Sequence, residues 1–331
     1  MDIASKMKRD WDRRAGEHAR FWIATEDYQE DARFAASGEA TAQRLLAQLP
    51  DSGISGWSVL EIGCGVGRVL RPLAPTFRRL CGVDVSGEMI AQSHHWLAGL
   101  ENVETHVNSG VDLGDFSDAE FDLVYSYIAF QHMPRPVFAS YLRESNRVLR
   151  EGGRLLFQVF VGQRRDPPFD DTISLRVYEP AELAHRLTET GFEPLADSLA
   201  VPIGPQARDH WVLARRFGTP VLSDEGDWRT RPCPDRISPI DAHLQRCLAA
   251  DCMRDGNAEG AIRVLERLVE YDPGQLEAWL VLVSLLLEGR HLEMAVASLK
   301  ALVEAHPQYG PARESLAQLL ARTRQQVQGA G

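Results

Sequence analysis

Residues 58–74, SVLEIGCGVGRVLRPLA, constrain the fold more than any other part of the chain. An apolar run with strand character enters the stretch and a segment able to start a helix leaves it. Between them stand Gly63, Gly65 and Gly67 at alternate positions. Glycine tolerates positive φ and lets another group come close to the backbone, so a glycine-rich turn from strand to helix seats a ligand against bare amides. A dinucleotide loop would read G-x-G-x-x-G. Here the third glycine comes one place early and Arg68 holds the dinucleotide position.

The pattern continues downstream. From residue 58 to 216 short β-rich runs (SVLEIG, LCGVDV, VETHV, FDLVYSYI, GRLLFQVF, HWVLARR) alternate with segments of helical spacing such as SGEMIAQSHHWLAGL and RPVFASYLRESNRVLR. Alternating strands and helices imply βαβ units and a mostly parallel sheet. Residues 178–195 add a helix, with Pro180 near its start and Gly191 just past its end.

Beyond residue 216 the pattern breaks. Residues 217–240 hold Pro220, Pro232, Pro234 and Pro239 without a sustained period, and this predicts a linker lying on the surface. The rest is helical and repeats itself. Pro273 recurs as Pro307, Ala261 as Ala295, Leu265 as Leu299 and Ala278 as Ala312, each pair 34 residues apart. A small residue lets two helices approach, and the proline ends the second helix of each unit. The period and the spacing resemble the tetratricopeptide repeat, in two units and a capping helix.

A chain of 331 residues suggests two domains. The 36 basic and 47 acidic side chains give a net charge of −11, which repels phosphate backbones and argues against a nucleic-acid partner. Five cysteines, odd in number and without a C-x-x-C pair, suggest neither a disulfide framework nor a zinc site, and no histidine cluster has metal-ligand spacing. The N-terminus is charged throughout, and the longest apolar run, residues 278–287, is too short for a bilayer. These features predict a cytoplasmic protein with neither a metal nor a membrane partner.

The neighbours of the glycine turn narrow the ligand. GVDVS ends the second strand with Asp84, placed to hold the two hydroxyls of a ribose. VLEIGCGVGR, GVDVSGEMI, FDLVYSYIAFQHMP and RVLREGGRLLFQVF, in this order, resemble the motifs of the class I S-adenosylmethionine-dependent methyltransferases. The resemblance implies an α/β fold, a Rossmann-like, mostly parallel seven-stranded sheet, followed here by the all-α repeats. The implied organisation is a helical cover of the active site over 1–38, the S-adenosylmethionine-binding domain over 39–216, the linker over 217–240 and the repeats over 241–325.

The resemblance also implies roles. Gly63, Cys64, Gly65 and Gly67 would form the loop under the methionine part of the cofactor, Glu61 would support it, and Asp84 would hold the ribose. Val85 and Met89 would pack on the adenine, and Tyr127 would fall where the backbone meets the cofactor amino group. The adenine amino contact stays open between Ser109 and Asp112, around Gly110 and Val111. His132, just beyond the fourth strand, is a candidate base or a structural histidine, and Gln131 could orient the acceptor. The aromatic residues Trp22, Tyr28 and Phe34 belong to the cover, and residues 161–177 form an insertion in which Arg164 and Arg165 could meet an acidic acceptor or simply face water. The implied activity is methyl transfer to an oxygen or nitrogen of a small molecule or peptide, with the repeats binding substrate or a protein partner, or pairing two copies. The alternative is a methyltransferase-like scaffold that binds cofactor and acts mainly through protein contacts.

Overall fold

The computed structural model describes residues 1–50, 52–195, 199, 207–221 and 226–328. The chain divides into two compact units, Met1–Asp235 and Arg236–Gly331.

The first unit is built on β1 (Ser58–Ile62), β2 (Arg79–Asp84), β3 (Val103–Val107), β4 (Phe121–Ser126), β5 (Leu149–Val161), β6 (Val177–Tyr178), β7 (Phe192–Pro194) and β8 (Arg208–Arg216). The sheet order is β3-β2-β1-β4-β5-β8-β7, and the two-residue β6 pairs with β5. Strands β1 to β5 pair in parallel, while β8 runs antiparallel to β5 and β7. All five residues of β1 are buried, as a central strand covered on both faces requires. Leu60 and Ile62 face a core that includes Phe130, Phe138 and Phe157. Val59 faces the other way, with Leu80, Leu123 and Leu156.

Two helices precede the sheet: α1 (Ile3–Ile23), broken at His18 by non-helical dihedrals, and α2 (Asp31–Leu46). The short α3 (Leu70–Leu73) follows the glycine turn, and α4 (Gly87–Trp96) follows β2. Ser86 caps α4 by accepting the Met89 N–H. A 3-10 turn (Phe130–His132) leads into α5 (Arg135–Val148), and α6 (Pro180–Glu189) fills the place read from Pro180 and Gly191.

Two features differ from the sequence reading. Strand β5 starts at Leu149, ahead of the Gly152-Gly153 pair, and Gly152 sits inside it at φ +73° where the register with β4 shifts. The pair is an irregularity within a strand, so the strand begins earlier than its apolar run. Residues 226–235, within the stretch read as a surface linker, pack on the first unit instead. Trp228 and Cys233 join its core, the Cys233 N–H donates to the Met1 carbonyl, and Arg229 donates to Ser140 Oγ. An aromatic ring and a thiol were available for burial, and four prolines in one segment concealed them.

The second unit contains α7 (Pro239–Arg254), α8 (Ala258–Tyr271), α9 (Leu276–Glu288), α10 (Leu292–Ala305) and α11 (Gly310–Gln328), each packed on the next. The repeated small residues Ala261, Ala278, Ala295 and Ala312 are buried, as are Leu265, Leu299, Leu268 and Leu302. Pro273 lies between α8 and α9, and its carbonyl accepts the Trp279 indole N–H at 2.9 Å. Among the described residues no helix is long and apolar enough to cross a membrane.

Candidate active site

A cavity opens at the carboxyl ends of β1, β2 and β4, where an α/β sheet places its ligands. Glu61, Gly63, Cys64, Gly65, Asp84, Val85, Met89, Gly110, Tyr127 and His132 all line it. Strand pairing gathers these residues from four separate stretches of sequence.

The glycine turn forms the floor. The Gly63 and Cys64 amides both donate to the Val83 carbonyl of β2, at 2.8 and 3.0 Å. Gly63, Gly65 and Gly67 all have positive φ, and a Cβ on Gly63 would lie 2.4 Å from the Ala129 Cβ. No side chain fits there, so a cradle of bare backbone remains. Asp84 stands at the end of β2; its Oδ2 accepts the Gly65 N–H and its Oδ1 the Ser86 N–H, each at 2.9 Å. Each oxygen keeps a second acceptor site, as two neighbouring hydroxyls of a ligand would need. Burial pushes the Asp84 carboxyl up to about 6.

Glu61 is buried and accepts the Tyr125 hydroxyl at 2.8 Å. Burial pushes its carboxyl up to about 8, against the opposing pull of that hydrogen bond and of Arg68. Burial also holds the Cys64 thiol well above its ordinary value, so Cys64 serves as a small residue in a tight turn and not as a thiolate.

Beside the glycine turn, the chain leaves β4 through a strained residue. Ile128 has φ +62°, a left-handed conformation that costs a β-branched residue on the order of 1–3 kcal/mol. The bend starts the 3-10 turn that delivers His132 to the cavity. His132 Nδ1–H donates to the Ile173 carbonyl at 2.6 Å, which leaves Nε2 as the acceptor nitrogen. Burial depresses the ring to about 4, and the charges of Arg14 and Arg176 add to that effect. Trp11 presents its ring to His132 with centroids 6.2 Å apart.

The insertion after β5 holds this histidine. Asp171 Oδ1 accepts the amides of Ile173 and Ser174, at 2.9 and 2.7 Å. Arg176 Nη1 donates to the His132 carbonyl and its Nη2 to the Asp171 carbonyl. Thr172 and Arg176 are buried, so this part of the insertion is structural. Arg164 pairs with Asp166 at 2.8 Å and is engaged within its own loop.

Five residues expected at the site lie outside the cavity lining: Gly67, Ser109, Val111, Asp112 and Gln131. A Cβ on Gly67 would meet the Leu97 side chain at 2.6 Å, so that glycine admits the end of α4. The Ser109 hydroxyl donates to Asp112 Oδ1 and accepts the Val111 and Asp112 amides, closing a local turn. Val111 belongs to the core. Gln131 is buried, with its Nε2 at 3.4 Å from His132 Nε2.

Other residues take the empty places. Asn108, at the end of β3, lines the cavity; its Oδ1 accepts the Gly110 N–H and its Nδ2 donates to the Tyr141 hydroxyl. A polar residue just past a parallel strand, at the carboxyl edge, was the available signal for Asn108. Tyr141 and Met133 come from the helix after β4 and from its approach, where nothing in the sequence separates cavity from core. From the cover, Met7, Trp11, Trp22 and Ile23 face the cavity. Tyr28 and Phe34 pack away from it, against Phe21 and Trp96.

Strand pairing makes one further cluster, which spacing along the chain did not show. Cys81 on β2 is paired with Glu104 on β3, and His106 lies two residues further on. The Cys81 thiol donates to Glu104, and Glu104 pairs with Arg79. The three side chains are thus satisfied by one another and by an arginine.

A mostly parallel sheet with an antiparallel penultimate strand, a glycine turn after β1 and an acid at the end of β2 define a Rossmann-like fold whose ligand site lies at the carboxyl edge of the strands. Residues 59–153 match the family model described as a methyltransferase domain, and residues 253–325 match one described as a tetratricopeptide repeat. The chain thus carries a methyltransferase domain followed by tetratricopeptide repeats. It is similar to the malonyl-[acyl-carrier protein] O-methyltransferase of Hahella chejuensis, with 34% identity over 32% of this chain and 37% of that protein. It is also similar to the fatty-acid O-methyltransferase of Mycolicibacterium smegmatis, with 38% identity over 31% of this chain and 37% of that one. The matches thus cover little more than a third of those relatives' lengths. Among solved structures, the magnesium protoporphyrin IX methyltransferase of Synechocystis is 17% identical, covering 65% of this chain and 98% of its own, at a TM-score of 0.47.

Proposed function

We propose that the first unit transfers the methyl group of S-adenosylmethionine to an oxygen or nitrogen of a small-molecule or peptide acceptor. The single observation carrying this reading is one cavity that joins a bare glycine cradle, the Asp84 carboxyl and a neutral histidine. When bound, the cofactor supplies a methyl group on a sulfonium, with a good leaving group behind it. The chain's part is to hold donor and acceptor in line and to keep water out.

The glycine turn and Glu61 would take the methionine end, Asp84 the ribose hydroxyls, and Val85, Met89 and Gly110 the adenine. The adenine amino group would meet Asn108 in place of Ser109 or Asp112. Met7, Trp11, Trp22 and Ile23 would close the cavity against water. His132 would accept the proton of an acceptor hydroxyl or ammonium at Nε2, since its Nδ1–H is held by the Ile173 carbonyl. A depressed ring keeps that nitrogen unprotonated across the neutral range. The O-methyltransferase names of the relatives favour oxygen as the acceptor atom.

The repeat unit would bind a protein partner or carrier-bound substrate, or pair two copies. Leu280, Val281 and Leu287 are exposed along α9, an apolar stripe that such a contact would cover. Titration calorimetry with S-adenosylhomocysteine, followed by transfer of radiolabelled methyl to a panel of hydroxyl, carboxyl and amine acceptors, tests the reading. Absence of S-adenosylhomocysteine binding would sink it. Binding without transfer to any acceptor would favour the scaffold.

A further inference from the structure

We infer that Arg68 is the anchor for the α-carboxylate of the methyl donor, a role resting on the proposed function above. Arg68 follows the glycine turn directly and lines the cavity. Its side chain is buried, at 8% exposure. A buried guanidinium is normally matched by a carboxylate. Arg68 is not: Nη1 donates to two neutral hydroxyls of α2, Ser37 Oγ at 3.3 Å and Thr41 Oγ1 at 3.2 Å. Among the described residues no carboxylate stands within ion-pair distance of it.

The nearest acid in the cavity does not supply the missing charge. Glu61 attracts Arg68, but burial raises its carboxyl so far that the neutral form dominates at pH 7. The guanidinium is therefore held by the two α2 hydroxyls and by Tyr127, which hydrogen-bonds to it and whose ring centroid is 5.6 Å away. Tyr127 is itself fixed by stacking on Trp211 at 5.4 Å. The backbone of α2 makes room for the arrangement: a Cβ on Gly38 would lie 2.4 Å from the Arg68 carbonyl and 3.3 Å from its Cγ. So α2 leaves room for an arginine to reach the cavity, where its side-chain partners are hydroxyls and not a carboxylate.

An anion at this point sits beside the glycine cradle and Glu61. A zwitterionic amino-acid end supplies both partners at once, its carboxylate to Arg68 and its ammonium to Glu61. His132, the proposed acceptor base, comes from the turn after β4, whereas Arg68 follows the glycine turn directly. The position therefore favours the donor as the source of the carboxylate.

The test pairs two ligands with two variants. S-adenosylhomocysteine carries the carboxylate, and 5′-methylthioadenosine lacks the whole amino-acid end. In Arg68→Met, S-adenosylhomocysteine should bind about 10- to 100-fold more weakly, the loss of a charge-assisted pair, while 5′-methylthioadenosine binds as in the wild type. Arg68→Lys, which keeps the charge without the fork, should fall between the two. A third ligand, decarboxylated S-adenosylhomocysteine, tests the idea in the unaltered protein, where it should bind at least 10-fold more weakly than S-adenosylhomocysteine. Equal affinity of those two ligands for the wild type, or unchanged S-adenosylhomocysteine affinity in a folded Arg68→Met, overturns the inference. A wild type that binds none of the three fails at the proposed function instead.

Discussion

Glu61 offers the sharpest quantitative test of the cavity. Its carboxyl is buried and lifted to about 8, so at pH 7 about 90% of ligand-free molecules carry it protonated. A donor that brings an ammonium beside it stabilises the carboxylate, and binding then expels a proton. The sign follows directly: a group protonated in the free protein and ionised in the complex makes binding tighter as pH rises. Between pH 5.5 and pH 7 the ionised fraction of a group with a value of 8 grows about 30-fold. If Glu61 is ionised throughout in the complex, S-adenosylhomocysteine affinity gains that factor from this one residue. The range stays below the pH where an α-amino group begins to lose its proton. Asp84 also titrates within the range, so the quantity to read is the difference between wild type and Glu61→Gln. Titration calorimetry in buffers of different ionisation enthalpy gives the proton count directly. Close to one proton should leave the wild type at pH 7, and that release should vanish in Glu61→Gln. Equal proton release and parallel pH dependence in the two proteins would refute the reasoning.

Further outcomes follow from the same geometry. His132→Ala should lower kcat by about 10²- to 10⁴-fold with S-adenosylhomocysteine affinity nearly unchanged, and steady-state rates beside calorimetry check this; undiminished turnover would return the residue to packing. Because the His132 ring is depressed to about 4 from an ordinary 6.5, its contribution to stability is complete above pH 6.5 and is lost as pH falls through 4. Denaturant melts should show His132→Gln spared about 3 kcal/mol of acid destabilisation over that window. Gly63→Ala should lower the melting temperature and abolish S-adenosylhomocysteine binding, since its Cβ would lie 2.4 Å from Ala129. Gly152→Ala, with the same sign of φ but nothing within 4 Å, should cost only about 1 kcal/mol and leave binding intact. Asp84→Ala should weaken S-adenosylhomocysteine strongly, and unchanged affinity would remove its ribose role.

The strands that carry the cavity were legible because each is a continuous apolar run bounded by turn residues. SVLEIG, LCGVDV and FDLVYSYI became β1, β2 and β4 almost residue for residue. The 34-residue period was legible for a similar reason: each helix pair must bury the same small and branched positions against its neighbour, as Ala261 and Ala295 do. Strands β6 and β7, at two and three residues, are too short to impose a period, and they exist because β5 and β8 offer them partners. Asn108 and Arg68 escaped notice as cavity residues because asparagine and arginine past a strand or turn are ordinary solvent-facing residues in a linear reading.

The chain's local sequence determined the alternation of strand and helix, the glycine cradle, the acid at the end of β2 and the repeats, since these depend on backbone preference and period. The tertiary structure decided what no period encodes. The Ile173 carbonyl, 41 positions from His132 in the chain, chooses which ring nitrogen is free. Burial, a property of the whole packed sheet, raises Glu61 and Asp84 and lowers His132. Hydrogen-bond geometry and desolvation arise between residues distant in sequence, so the glycine turn could mark where the donor lies, while the charge and proton state of its surroundings came only with the fold.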